Sequence, residues 1–310
     1  MNHGKTPLRI FQAAAVLAAI LRLPVAAQQK QVASPATGTQ IVLLGTGNPA
    51  ANPDRSGPAT AIVVNGTAYL VDFGPGVVRR AAAAARDRGV TSLQPTNLHV
   101  AFATHLHSDH TIGFPDLIFS PWTLGRRMPL EVYGPKGIKA MAQHLEEAYR
   151  PDIETRTNAY GNQREFPEGH NVNAHEISAG VVYKDGNVTV TAFPTKHAME
   201  SYGYRFDTPD RKIVISGDTN PTQATVDACN GCDVLIHEGI ALSWLATRPS
   251  TFQVFAAKYH TTTAQLAELA AKAKPKLLIV YHTDEPDQVL REMLERYSGH
   301  VVVARDLDIY

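Results

Sequence analysis

Short apolar runs, cut by glycine, proline and asparagine, set the rhythm of the chain. Ile41-Val42-Leu43-Leu44 reads as a strand ending at Gly45-Thr46-Gly47, and Asn48 to Pro58 is too rich in breakers to be anything but loop. Ala61 to Val64 and Ala68 to Val71 flank Asn65-Gly66, the pair that tight hairpin turns favour. Asp72-Phe73-Gly74-Pro75-Gly76 then turns into an alanine-rich helix predicted over Val77 to Arg88. Leu98 to Ala103 is a buried strand. Ile112 to Leu124 places Phe114, Leu117, Ile118 and Trp122 on one side of a helix, Leu130 to Tyr133 is a strand, and Gly137 to Tyr149 has a helical apolar period.

Residues 150–180 carry no clear period and are expected to form a long irregular insertion, of the kind that is functional or mobile in compact domains. Beyond them, strands are predicted at Val188–Phe193, Tyr202–Phe206, Lys212–Ile215, Asp233–Ile236, Lys276–Val280 and Val301–Val303. Helices are predicted at Thr263–Lys274 and Pro286–Tyr297. Hairpins early and strand–helix alternation late suggest two packed sheets with helices outside. No repeat or linker interrupts residues 38–310, so one domain is expected there.

The strands share a feature at their ends. The run Leu98–Ala103 leads into Thr104-His105-Leu106-His107-Ser108-Asp109-His110, three imidazoles and a carboxylate within six positions. Other strands end at His197, Asp218, His237-Glu238 and His282. Imidazole and carboxylate donors suit zinc and neighbouring divalent metals, and ligands gather at the carboxyl ends of strands in open α/β sheets. His105, His107 and His197 make a three-imidazole set with an open fourth position. Asp109, His110 and His282 make a second, and Asp218 is the natural bridging carboxylate. Two ions about 3.5–4 Å apart can share a hydroxide and clamp the group it attacks. Asp72, at a strand end, reads as a loop-organising acceptor.

The first 27 residues stand apart. Lys5 and Arg9 precede an apolar segment from Ile10 to Leu21, and Val25 and Ala27 suit a signal peptidase site, so export to the periplasm or medium is expected, with cleavage near Ala27. That segment is too short to span a bilayer, so no stable membrane insertion is expected after cleavage. Residues 28–37 read as a flexible lead-in. The chain has 29 basic and 29 acidic residues; removing Lys5, Arg9 and Arg22 leaves 29 − 3 = 26 against 29, a net charge of −3. No Lys/Arg-dense run appears, which argues against a long nucleic acid as substrate. The two cysteines, Cys229 and Cys232, read as a local disulfide or as structural thiols, since one CxxC pair cannot hold zinc alone. The oligomeric state is open, a homodimer included.

These motifs resemble the metallo-β-lactamase superfamily, and within it the ribonuclease Z and arylsulfatase-like branch. Leu43-Leu44-Gly45-Thr46-Gly47 followed by Pro49, Pro53, Arg55 and Gly57-Pro58 is similar to that branch's opening, and Thr104–His110 to the superfamily's His-x-His-x-Asp-His. Gly203–Phe206, Ser216–Thr219, Leu235–Glu238 and His260-Thr261-Thr262-Thr263 resemble its later motifs. The resemblance implies a four-layer αββα sandwich of mixed α/β type, two zinc ions (manganese or iron as alternatives), and the ligands given above. It also implies that His260 acts at the leaving oxygen with Glu238 orienting it, and that Arg205 could contact a substrate anion or form a structural ion pair.

The sequence departs from the tRNA-processing members. They carry a basic, Gly/Pro-rich arm, whereas residues 150–180 hold Asp152, Glu154, Glu165 and Glu168 against Arg150, Arg156 and Arg164. Ser108 and Phe114-Pro115-Asp116-Leu117 are closer to exported arylsulfatase-like members. The expected activity is hydrolysis of small phosphodiesters or sulfate esters, with a β-lactamase or lactonase-type acyl hydrolase and a ribonuclease on short RNA as alternatives. A ligand-binding module without activity would need lost ligands, and all seven are present.

Overall fold

The structure, a computed structural model, describes Met1, Gly4 and residues 38–159, 161–283 and 285–310. The expected signal peptide and the segment 28–37 lie outside the described residues. From residue 38 onward the chain belongs to one compact unit, Ser34–Tyr310.

Among the described residues the strands form two sheets of seven. The first comprises β1 (Gln40–Gly45), β2 (Ala59–Val64), β3 (Thr67–Val71), β4 (Val100–Phe102), β5 (Leu130–Gly134), β6 (Val172–Glu176) and the late strand β14 (Asp308–Ile309), in the order β14-β1-β2-β3-β4-β5-β6. The second comprises β7 (Gly180–Lys184), β8 (Thr189–Pro194), β9 (Tyr202–Asp207), β10 (Lys212–Ile215), β11 (Val234–Glu238), β12 (Leu277–Tyr281) and β13 (Val301–Val303), in the order β13-β12-β11-β10-β9-β8-β7. Each sheet is antiparallel on one side and parallel on the other. Pairing is parallel from β3 through β6 and from β10 through β13.

Eleven helices are seen among the described residues: α1 (Val77–Asp87), α2 (Ser108–Thr111), α3 (Phe114–Thr123), α4 (Ile138–Ala148), α5 (Arg150–Ala159), α6 (Gly161–Glu165), α7 (Gln223–Cys229), α8 (Leu242–Leu245), α9 (Ser250–Tyr259), α10 (Thr263–Ala273) and α11 (Pro286–Arg296). Strand alternation sorts the core into three layers. Ile41, Leu43, Ile62 and Val64 face Val190, Tyr204, Phe206, Ile213 and Ile215 between the sheets. Val42, Leu44 and Ala61 pack outward with Ala81 of α1 and Phe114 and Trp122 of α3. Val214, Leu235 and Leu278 pack outward on Leu266 of α10 and Met293 of α11. The result is the αββα sandwich. The central strands of both sheets are buried on both faces, and this explains why they read as continuous apolar runs, while the edge strands β6 and β7 stay largely exposed.

One expectation is corrected. Residues 150–180 are not an irregular insertion: they contain α5, α6, a 3₁₀ turn at Pro167–His170 and β6, which extends the first sheet. No residue of α5 is buried, so no apolar stripe marked it as helix. Likewise, the predicted helix Ile112–Leu124 starts at Phe114, after the separate turn of α2. Cys229 and Cys232 are joined by a disulfide and buried under the second sheet.

Candidate metal centre and active site

Every candidate ligand leaves the carboxyl end of a strand. After β4 the chain enters Thr104–His107 and then α2, whose first turn carries Asp109 and His110. His197 follows β8, Asp218 follows β10, Glu238 closes β11 and His282 follows β12. Two glycines allow the loops to meet. Gly217 has φ +61, and a Cβ there would lie 2.7 Å from the Thr104 side chain. A Cβ on Gly74 would come within 2.5 Å of the Asp109 carbonyl oxygen, so the Asp72–Gly76 turn can lie against α2 only as glycine.

The nitrogens converge in two groups. His105 Nε2 and His197 Nε2 each lie 3.0 Å from His107 Nδ1. His282 Nε2 lies 3.2 Å from both His110 Nε2 and an Asp109 carboxylate oxygen. Asp218 stands between the groups: Oδ1 is 3.3 Å from His110 Nε2 and 3.5 Å from His282 Nε2, and Oδ2 is 4.0 Å from His105 Nε2. Asp218 Oδ1 is buried without a hydrogen-bond partner.

The far sides of the rings fix their tautomers. Asp72 accepts a hydrogen bond from His110 Nδ1 at 2.9 Å, and the Tyr259 carbonyl accepts one from His197 Nδ1 at 3.0 Å. Thr104 gives its hydroxyl proton to Asp72, which leaves its oxygen to accept from His105 Nδ1 at 3.0 Å. Three Nε2 lone pairs therefore point inward, and lone pairs about 3 Å apart repel unless a cation lies among them. The donor set and the orphaned carboxylate oxygen fit a pair of divalent metal ions. Burial lowers the basicity of His105, His107 and His197, which keeps them neutral as ligands must be. At His110 and His282 the neighbouring carboxylates, Asp218 foremost, outweigh burial and raise it, so binding an ion there means displacing a proton. Asp218 is buried, yet the His282 and His110 rings hold its carboxyl well below the usual carboxylate range. His282 itself has φ +52, an uncommon backbone state for a residue with a ring side chain, with its N–H held by the Thr46 carbonyl at 3.0 Å.

A second pair lies beside the ligands. Glu238 is fully buried, accepts from Thr219 N at 2.7 Å, and receives His260 Nδ1 at 3.0 Å on both carboxylate oxygens. Burial alone would lower the basicity of His260. The Glu238 carboxylate outweighs burial and raises its pKa to about 9.

A profile of the beta-lactamase superfamily domain matches residues 67–283. The chain is a metallo-hydrolase of the β-lactamase superfamily. It is similar to ribonuclease Z of Mycobacterium sp. (strain KMS), 32% identical over 248 residues, which covers 78% of this chain and 83% of that one. It is also similar to ribonuclease Z of Mycobacterium bovis (strain BCG / Pasteur 1173P2), 29% identical over 279 residues, covering 86% and 96%. Among solved structures, the metallo-beta-lactamase fold protein YhfI from Bacillus subtilis superposes with a TM-score of 0.68 at 17% identity, covering 88% of this chain and 98% of that one. The short form of human tRNase Z gives 0.64 at 22%, covering 87% and 98%. These two likenesses are of fold.

For this superfamily hydrolase His107, Asp109, Asp218, Glu238, His260 and His282 line one cavity of about 670 Å³, and His105, His110 and His197 join them in the donor groups. Arg205 is not brought there. Tyr204 and Phe206 point between the sheets, so Arg205 points to the opposite face of β9. Its guanidinium bonds Asp207 at 2.7 Å and the Ala228 carbonyl of α7 at 3.2 Å, the structural ion pair that was one of its two expected roles, and Arg205 does not line the cavity. The cavity has an aromatic wall of Trp244, Phe252 and Phe255, of which sequence reasoning missed the two phenylalanines. The signal was there in Ser250–Tyr259, where Phe252, Phe255 and Tyr259 recur at helical spacing.

Proposed function

We propose that this protein hydrolyses small phosphodiesters or sulfate esters with two divalent ions, zinc by choice of donors, and that it does so after export. The observation that carries this reading is the Glu238–His260 pair placed beside the ligand clusters. Ions held by the two donor groups supply Lewis-acid stabilisation of the charged centre and an activated water. The chain's own residues do the rest. Asp109 and Asp218 hold the two ligand groups in register, and Glu238 fixes His260 at Nδ1. His260 Nε2 then gives a proton to the leaving oxygen as the O–P or O–S bond breaks, so that a neutral alcohol departs. A donor in this position also serves the leaving alkoxide or amine of an acyl transfer, so a comparison of substrates separates the two reactions.

The test uses residues 28–310 loaded with zinc on bis-p-nitrophenyl phosphate, p-nitrophenyl sulfate and nitrocefin. A dominant diester or sulfate rate, lost in Asp218→Ala, supports the reading and selects the ester. A dominant nitrocefin rate replaces it with acyl hydrolysis. Cleavage of short RNA is the second reading, favoured by the ribonuclease Z similarity at 32% identity. It predicts a KM that rises steeply with salt. Against it, Arg156 of α5 is already engaged by Asp152 at 2.9 Å. Export is tested separately by N-terminal sequencing of the protein from a periplasmic fraction, with Gln28 as the expected first residue.

A further inference from the structure

The helix α9 is oriented against the usual logic of amphipathic packing. Its only buried residue is Ala256, while Phe252 and Phe255 remain 37% and 39% exposed and line the cavity. A surface helix ordinarily turns its aromatics to the core. These rings instead form a continuous series that starts at the proton donor. Phe255 lies 5.6 Å from the His260 ring, centroid to centroid, and 6.3 Å from Phe252. Phe252 meets Trp244 edge-on at 5.9 Å, and the Arg248 guanidinium covers the Trp244 ring at 4.5 Å. Ile240, Ala241 and Pro249 complete an apolar lining on the same side. The metal donors lie on the other side of His260, whose ring is 5.2 Å from that of His197.

Resting on the ester-hydrolase reading above, we propose that Phe255, Phe252 and Trp244 are specificity-determining residues that bind the leaving group, and that the preferred substrates are esters whose leaving alcohol bears a planar aromatic ring. The placement follows from connectivity. The oxygen that takes the proton of His260 is bonded to the leaving group, so that group extends from His260 along the neighbouring wall. A flat ring stacks on that wall and displaces water from exposed Phe surface, which a compact aliphatic alcohol cannot match. Arg248 closes the far end with a cation that no carboxylate pairs among the described residues.

The experiment compares zinc-loaded wild type with Phe252→Ala/Phe255→Ala, Trp244→Ala and a control, Val254→Ser, which is 69% exposed on the same helix and absent from the cavity lining. The substrates are phosphodiesters and sulfate esters of 2-naphthol and of hexafluoroisopropanol, alcohols of comparable acidity. In addition, 2-naphthol binding is measured by calorimetry on the same proteins. Wild type and Val254→Ser are expected to prefer the naphthyl ester in kcat/KM by about tenfold or more, the scale of one aromatic stacking contact. The double variant and Trp244→Ala are expected to lose that preference through KM and to lose 2-naphthol binding. Turnover of both esters without preference, or a preference that survives in the double variant, overturns the inference and leaves the ester-hydrolase reading standing. No turnover of any phosphate or sulfate ester defeats that underlying reading. A change of oligomeric state in the double variant, by light scattering, with selectivity intact would assign the wall to a second copy of the chain and also overturn the inference.

Discussion

On the proposed reading His260 is the acid, and Glu238 foremost, with Asp218 and Asp109 behind it, suits it to that role. Its pKa of about 9 stands above the ordinary imidazole value of about 6.5 because the buried Glu238 carboxylate outweighs the loss of hydration. A raised pKa means the proton is kept until the pH rises through about 9, so kcat/KM on a poorly activated ester should hold to that point and fall beyond it. Glu238→Gln removes the charge and should shift the alkaline limb to lower pH, read directly from a pH–rate profile. His260→Ala should lower kcat on a poorly activated ester by about 10²–10⁴-fold and on a highly activated one far less, because a good leaving group needs no proton. A uniform loss on both would remove the acid role. The same residue-scale reasoning applies to Asp72, a carboxylate that never reaches the cavity. It fixes the Nδ1–H of His110, so Asp72→Ala should weaken metal affinity by about 10–100-fold, measured by chelator competition.

At the scale of elements, the helices near the cavity depend on a single carboxylate. Glu292 of α11 accepts hydrogen bonds from the first N–H groups of α8, Leu242 N at 2.8 Å and Ser243 N at 2.9 Å. It also bonds the hydroxyls of Ser243 and Thr263. Those contacts tie the aromatic wall of α8 to the start of α10, three residues after His260. They hold the Glu292 pKa below the ordinary glutamate value even though burial opposes this. A depressed carboxyl pKa gives stability that is present at neutral pH and is lost as pH falls through the folded value. Glu292→Ala should therefore lower stability by about 1–3 kcal/mol at pH 7, with a smaller difference from wild type in acid, by denaturant titration. Which elements were legible in the sequence depends on their packing. The central strands were, because they are buried on both faces and give unbroken apolar runs, whereas the edge strands β6, β7 and the two-residue β14 were not, since β6 and β7 lie largely open to solvent. Helices α5 and α9 were not: α5 buries nothing and carries no apolar stripe, while α9 spaces Phe252, Phe255 and Tyr259 helically yet buries only Ala256, so its aromatics did not mark a core-facing side.

For the molecule as a whole, metal and fold are linked. Five buried or half-buried imidazoles and two carboxylates face one another across loops that come from both sheets. Removing the ions with a chelator should therefore lower Tm, and adding zinc should raise it in a saturable way, because only the folded chain presents the donors together. Asp218→Ala should largely abolish that zinc-dependent rise, as followed by differential scanning calorimetry. A rise that persists unchanged would mean that the two donor groups do not act as one centre.

Two packed sheets with helices outside, and the gathering of candidate donors at strand ends, were legible in the chain alone, for two local reasons. Apolar period is set by burial, and the donor residues sit where strands stop, so strand ends and ligands are read together. Everything else waited on tertiary contacts. They place the Glu238 and His260 side chains 3.0 Å apart across 22 residues, give Asp72 its histidine 38 positions away, and send Arg205 to the far face of its strand. They also turn the aromatics of α9 toward the cavity. Such pairings depend on which strands become neighbours and which face each loop leaves from, and the composition of a single segment contains neither.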